Sequence, residues 1–218
     1  MADSTGNLTL PRRSRAPRRT QAERRAESDR GLLLAAAELI AEEGFNAATF
    51  EKVGARAGYS RGLASQRFGS KDGMIEALID YLHERSMELA SAEGRADMTG
   101  LDAILSSVDI YLRNFEREQA IRSYFVAMAG SVATLSHLRA AFAASHMKAK
   151  ERFEAHIREG QAEGSISKDL DAEAAALMIG SLILGISTQW LIDASTDLER
   201  IRKTSLDTLR RSLAASQA

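Results

Sequence analysis

The sequence predicts an all-α protein in two parts: an N-terminal three-helix unit with a helix-turn-helix, then a larger helical unit. Three observations carry this expectation. Both prolines, Pro11 and Pro17, lie near the N-terminus, so nothing from residue 18 onward forbids long helices. Ala, Leu, Glu and Arg dominate, and these are good helix formers. Apolar residues recur at helical spacing, with Ser, Thr and Gly marking starts and stops between the periodic stretches.

Taken in order, residues 1–21 mix Ser, Thr, Gly, Pro and Arg without periodicity. They read as a flexible basic arm carrying Arg12, Arg13, Arg15, Arg18 and Arg19. Periodic sequence begins near Arg24, and Leu32, Ala35, Ala36, Leu39 and Ile40 make one apolar helix face that stops at Gly44. Thr49 has the chemistry of an N-cap for a short second helix ending at Ala57, with Glu51 in its first turn. Gly58 breaks that helix, and Ser60 caps a third that ends at Gly69. Ser70 caps a fourth, running from about Lys71 to Glu93. Two short capped helices joined by a tight glycine turn are the helix-turn-helix pattern. Longer helices are expected near 100–117, 120–131, 135–163, 171–194 and 197–214, with Gly164 and Ser165–Leu170 as a break. The organisation expected is an arm at 1–21, a helix-turn-helix domain at 22–71 and a helical regulatory and dimerisation domain at 72–218.

Composition narrows the function classes. The chain has 218 residues, 44% hydrophobic and 27% charged, in the ordinary globular range. It has no cysteine, which excludes disulfides and thiolate metal sites. No apolar core follows the basic N-terminus, so no signal peptide is visible. The most apolar stretch, Ala174 to Ile186, reads as too short to span a bilayer. A soluble cytoplasmic protein with no membrane partner is expected. The net charge of −1 hides an asymmetry: residues 1–71 hold 13 basic against 8 acidic side chains, and the rest hold 16 against 22. The basic end points either to a polyanion partner or to a solubilising tail.

On the third helix Ala64 and Phe68 lie one turn apart and form the inward pair. The opposite face centres on Gln66, flanked by Gly62 and Leu63, with Ser65 and Arg67 on its shoulders. Such a face suits a DNA major groove. Gln pairs with adenine N6 and N7, Arg with guanine O6 and N7 or with a phosphate, and Leu63 with a thymine methyl. Gly62 allows close backbone approach. Thr49 at a helix N-terminus, with Arg61 and Lys71, can reach phosphates. Arg18 and Arg19 of the arm suit a narrow minor groove.

The residues Leu33-Leu34-Ala35-Ala36-Ala37-Glu38-Leu39-Ile40-Ala41-Glu42-Glu43-Gly44-Phe45, Thr49, Ala57-Gly58-Tyr59-Ser60-Arg61-Gly62 and Phe68-Gly69-Ser70-Lys71 resemble the DNA-binding domain of the TetR family of repressors. The resemblance covers roughly residues 30–80, with a weaker similarity beyond. It implies a homodimer on a palindromic double-stranded operator, released by a small-molecule inducer. It also implies DNA contacts from Thr49, Arg61, Gly62, Leu63, Ser65, Gln66, Arg67 and Lys71. One departure stands out: Ala64-Ser65-Gln66-Arg67 occupies the place where the family carries a leucine, aromatic residues and a histidine.

In the larger part, the helix near 171–194 is apolar nearly all round and must be buried on more than one side. Ala174, Gly180, Ser181 and Gly185 permit close helix approach. With the amphipathic helix near 197–214 it forms the expected dimer interface. Tyr111, Phe115, Tyr124, Met128, Phe142, His146 and Trp190 are the candidate lining of a mainly apolar ligand cavity, although such spacing equally builds core. His137 is a further polar candidate.

Rival classes find little support. A single Asp80-x-x-His83 falls short of the repeated pairs a di-iron bundle needs, and no histidine pair at i, i+4 or strand-linked phosphate loop occurs. No catalytic residue, metal or cofactor is expected. A helical adaptor explains the long helices but not the basic arm beside a capped helix-turn-helix.

Overall fold

The computed structural model describes residues 20–92, 98–134 and 138–215. Among the described residues it contains nine α-helices, one 3-10 turn at Phe45–Ala47 and no extended strand. The helices are α1 (Gln21–Glu43), α2 (Phe50–Ala57), α3 (Arg61–Phe68), α4 (Lys71–Ala92), α5 (Gly100–Arg117), α6 (Gln119–Thr134), α7 (Leu138–Glu163), α8 (Ala172–Ile192) and α9 (Leu198–Leu213).

α1 begins three residues before the periodic pattern does. Thr20 forms a reciprocal capping box: its hydroxyl accepts from the Glu23 amide at 3.2 Å, and the Glu23 carboxylate accepts from the Thr20 amide at 2.7 Å. This local pair starts the helix while its outer turns still face water.

Two apolar cores organise the chain. The first gathers Leu32, Leu39 and Ile40 of α1, Val53 of α2, Ala64 of α3 and Met74, Ile75 and Leu78 of α4. The second gathers Ile104, Val108 and Phe115 of α5, Ile157 of α7, Ile179 of α8 and Leu209 and Leu213 of α9. α6 joins them, placing Ala127 in the first core and Ile121 and Phe125 in the second. α4 begins in the first core, so its N-terminal half belongs with the helix-turn-helix.

The expected break after α7 is a compact turn. Gly164 takes the left-handed backbone (φ 86°), and Ile166 is fully buried and bridged to Ala214. The Gln161 amide donates to the carbonyls of Ser167 (3.0 Å) and Leu170 (2.8 Å), pinning the turn to its helix.

α8 departs from expectation once. It is a 21-residue helix, long and apolar enough by length and composition to cross a membrane, whereas the Ala174–Ile186 stretch read as too short. Within the single chain it is buried on one side, through Ala175, Ala176, Ile179 and Ser187. Leu177 (61% exposed), Met178 and Ile192 (74%) face outward. Among the described residues nothing covers this apolar face.

Candidate nucleic-acid interface and adjoining cavity

The helix-turn-helix is built by caps at both of its helix starts. The Thr49 hydroxyl accepts from the Lys52 amide at 3.3 Å, and the Ser60 hydroxyl accepts from the Leu63 amide at 3.1 Å. Gly58, at φ 75°, ends α2, and the Tyr59 amide then donates to the Gly54 carbonyl at 2.8 Å. Gly54 is buried where the two helices cross. A Cβ there would stand 2.9 Å from the Tyr59 carbonyl oxygen and 3.1 Å from the Arg61 nitrogen. Sequence reasoning missed this residue, although a glycine inside a short helix is a signal of close backbone approach.

α3 buries Ala64 completely and Phe68 partly. Arg61, Gly62, Ser65 and Gln66 are exposed, as is Thr49 at the α2 N-terminus. Three other predicted contact residues are placed differently from a free reading face. Leu63 is half-buried against the first core, because the short helix needs more apolar anchorage than Ala64 and Phe68 supply. The Arg67 guanidinium Nε lies 3.0 Å from the Asp29 carboxylate, with its NH2 3.5 Å from the Ser28 hydroxyl, so it straps α3 to α1. The Lys71 ammonium sits 4.5 Å from the centre of the Phe45 ring, and partial burial lowers its pKa. Arg18 and Arg19 lie outside the described residues, as do Arg12, Arg13 and Arg15.

The basic side chains of α2 turn toward α1. Arg56 pairs with Glu42 (2.8 Å) and Glu38 (3.6 Å), and Lys52 pairs with Glu43 (2.6 Å). Gln119 at the start of α6 donates to the Glu42 carboxylate at 3.1 Å, which ties this network to the larger part of the chain. The Arg56 hydrogen bond, followed by that of Gln119, holds the Glu42 carboxyl below its ordinary pKa.

A cavity of about 300 Å³ opens between α4, α5, α6, α7 and α8. Tyr111, Tyr124 and His146 line it. Phe115, Met128, Phe142 and Trp190 do not. Phe115 and Phe142 are buried in the two cores, Met128 packs against both, and Trp190 stacks edge-on behind the wall, 5.6 Å from the Phe115 ring. Phe125 and Phe153 reach the cavity instead. Ser107, Ser145, His83, Lys150 and Arg152 supply polar groups missed in the sequence. His83 drew notice there only as half of an Asp80-x-x-His83 pair, and Asp80 pairs instead with Lys148 at 3.7 Å. His137 lies outside the described residues.

Burial pushes the Tyr111 and Tyr124 hydroxyls up in pKa, against smaller opposing effects from Ser187 and Ser145. Burial also lowers His83, reinforced by the charges of Arg152 and Lys148, and burial alone lowers His146. Both imidazoles are therefore neutral near pH 7 and can donate or accept.

A capped, glycine-turned helix pair presenting an open α3 face, joined to a helical body with an internal cavity, defines a DNA-binding regulator fold. The family model described as bacterial regulatory proteins, tetR family, matches residues 32–78. That described as BetI-type transcriptional repressor, C-terminal, matches residues 101–214. The chain belongs to the TetR family of transcriptional regulators. It is 34% identical over 67 residues to an HTH-type transcriptional repressor of Mycobacterium tuberculosis, covering 31% of this chain and 36% of that one. The match thus spans about a third of that relative's length. TtgR, an HTH-type transcriptional regulator of Pseudomonas putida, is 27% identical over 188 residues, covering 82% of this chain and 90% of its own. A solved complex of SmeT with triclosan superposes with a TM-score of 0.70 at 23% identity, covering 87% of this chain and 92% of that one. SmeT is the repressor of a multidrug efflux pump in Stenotrophomonas maltophilia.

Proposed function

We propose that the protein is a homodimeric repressor that binds a two-fold symmetric operator and leaves it when a small, mainly apolar molecule fills the cavity. The observation that carries this reading is the exposed α3 face of Arg61, Gly62, Ser65 and Gln66, held by two helix caps and the α2–α3 glycine turn. Gln66 reads a base edge at its centre. Thr49, Arg61 and Lys71 contact phosphates. Leu63 and Arg67 act by setting the pitch of α3, with only their outer atoms toward the duplex. Arg18 and Arg19 add electrostatic attachment from the arm.

The dimer is proposed through α8 and α9. Ala174, Met178, Ser181, Gly185, Thr188 and Ile192 of α8 are all exposed and recur at alternating steps of four and three. That is the spacing of a helix-pairing seam, and the small residues allow close approach. A second copy explains this apolar face without a bilayer, in keeping with a cytoplasmic site of action. The division into an arm at 1–21, a DNA-binding domain at 22–71 and a regulatory domain at 72–218 is part of the proposal. No catalytic role is proposed.

Selection of bound sequences from random DNA tests the reading. A two-fold symmetric consensus is expected. No enrichment would refute operator recognition and favour a helical adaptor.

A further inference from the structure

The cavity has two unlike walls. α5, α6 and α8 contribute Ile121, Phe125, Ile183 and Leu184, with the Tyr111 and Tyr124 hydroxyls among them. α4 and α7 contribute His83, His146, Lys150 and Arg152. Among the described residues no carboxylate lines the space. The nearby acids stand behind it: Glu173 and Glu154 engage Lys150 at 2.5 and 4.0 Å, and Asp80 engages Lys148. Arg152 is half-buried and lies over the Phe153 ring at 5.6 Å, so its guanidinium is placed on the wall by packing.

We propose that the cavity takes an amphipathic organic anion, its carboxylate or similar acid head against the α4–α7 wall around Arg152 and its aromatic or branched body against α5, α6 and α8. A charge entering such a space must be paired and hydrogen-bonded. An acid meets a guanidinium, imidazole N–H groups and hydroxyl donors, which form the stronger, charge-assisted kind of bond. An ammonium meets no carboxylate among the described residues of either wall and is repelled by Arg152, whereas the charge of Lys150 is already paired with Glu173. This inference rests on the reading of the cavity as the effector site, and sharpens "mainly apolar" into a class with a defined charge.

The test is calorimetric titration of the full chain with three probes of one shape: 4-phenylbutyrate, 4-phenylbutanamide and 4-phenylbutylamine. Binding of the acid about ten- to a hundredfold tighter than the amide is expected, with the amine weakest. Arg152→Gln removes that preference while amide binding persists, and Arg152→Lys retains it. Persistence of amide binding in Arg152→Gln also reports that the variant is folded. Equal affinities, or tighter binding of the amine, overturn the charge assignment and leave the effector-site reading standing. An undiminished preference in Arg152→Gln overturns the placement of the acid head. Failure of all three probes to bind overturns the effector-site reading, and the proposal with it.

Discussion

Gly54 offers a quantitative test of how the reading helix is held. Replacing it with Ala adds a methyl group 2.9 Å from the Tyr59 carbonyl oxygen, 3.0 Å from the Ser60 carbonyl carbon and 3.1 Å from the Arg61 nitrogen. Ordinary contacts begin near 3.5 Å, so α2 and the start of α3 must part by roughly half an ångström. All three obstacles are backbone atoms, with no flexible tip to swing aside. Overpacking of this kind costs about 1–3 kcal/mol. Opposing it, Ala is better than Gly inside a helix by about 1 kcal/mol. Gly31→Ala separates the two effects. Gly31 lies in α1 of the same domain, and a Cβ there meets only the edge of the Tyr59 ring at 3.4 Å, an ordinary contact. Gly31→Ala is expected to match or exceed the parent in stability. Gly54→Ala should fall below Gly31→Ala by about 1–3 kcal/mol in urea unfolding, or roughly 2–12 °C in melting temperature. Its operator affinity, read by fluorescence anisotropy, should also drop, because the spacing of α3 from α2 changes. Coincident unfolding curves for the two variants would refute the close-approach account of this crossing.

Gln66→Ala should weaken specific operator binding by about 1–3 kcal/mol and relax base choice at one position; equal loss on random DNA would show that Gln66 does not read a base. Deleting residues 1–18, which keeps the Thr20 cap, should flatten the salt dependence of DNA affinity, and an unchanged slope would remove the arm from the binding scheme. His83 has a folded pKa below its ordinary 6.5, through burial and the nearby Arg152 and Lys148 charges, while Asp80 and Glu84 act weakly the other way. The unfolded state then binds more protons, so this contribution to stability is present above about pH 6.5 and is lost as pH falls through the folded value. His83→Gln should flatten that acid-side decline in melting experiments, and an identical profile would exclude His83 as its source. Ile192→Glu places a charge on the α8 face, at a side chain 74% exposed in the protomer. Sedimentation should shift toward monomer while helical content is unchanged; an unaltered dimer would move the interface elsewhere.

Local chemistry was legible in the sequence, and long-range chemistry was not. Thr49, Gly58 and Ser60 announced α2, its turn and α3, because caps and left-handed glycines act within a few residues. Ala64 was readable as inward from helical spacing alone. Arg67 was not, since its partner Asp29 lies on a helix 38 positions earlier, and the same spacing makes it a shoulder residue whether or not it is strapped down. The cavity lining was mixed for a related reason. Periodicity tells which face of a helix is apolar, yet Phe115 and Phe125 share that property, are both buried, and differ in that only Phe125 borders the cavity. α8 read correctly as apolar nearly all round. Its one-sided burial within a single chain is what a helix reserved in part for a second copy would show, and hydrophobicity alone does not say which molecule provides the cover.

α6 has a consequence for energetics. Its Tyr124 and Phe125 form part of the cavity wall, and Gly130, further along the same helix, leaves only 3.2 Å between its would-be Cβ and Phe45, on whose ring Lys71 rests. One stiff rod thus touches both the cavity and, through Phe45, the apolar core on which the reading helix is packed. Any free energy by which a bound molecule biases the position of that rod must be returned in full when DNA biases it the other way. Occupancy of the operator would therefore loosen the cavity's grip on its ligand by the same factor as the ligand loosens the operator. The sensitivity of such a regulator is then set jointly by the concentrations of both, and an isolated affinity for either describes only half of its response.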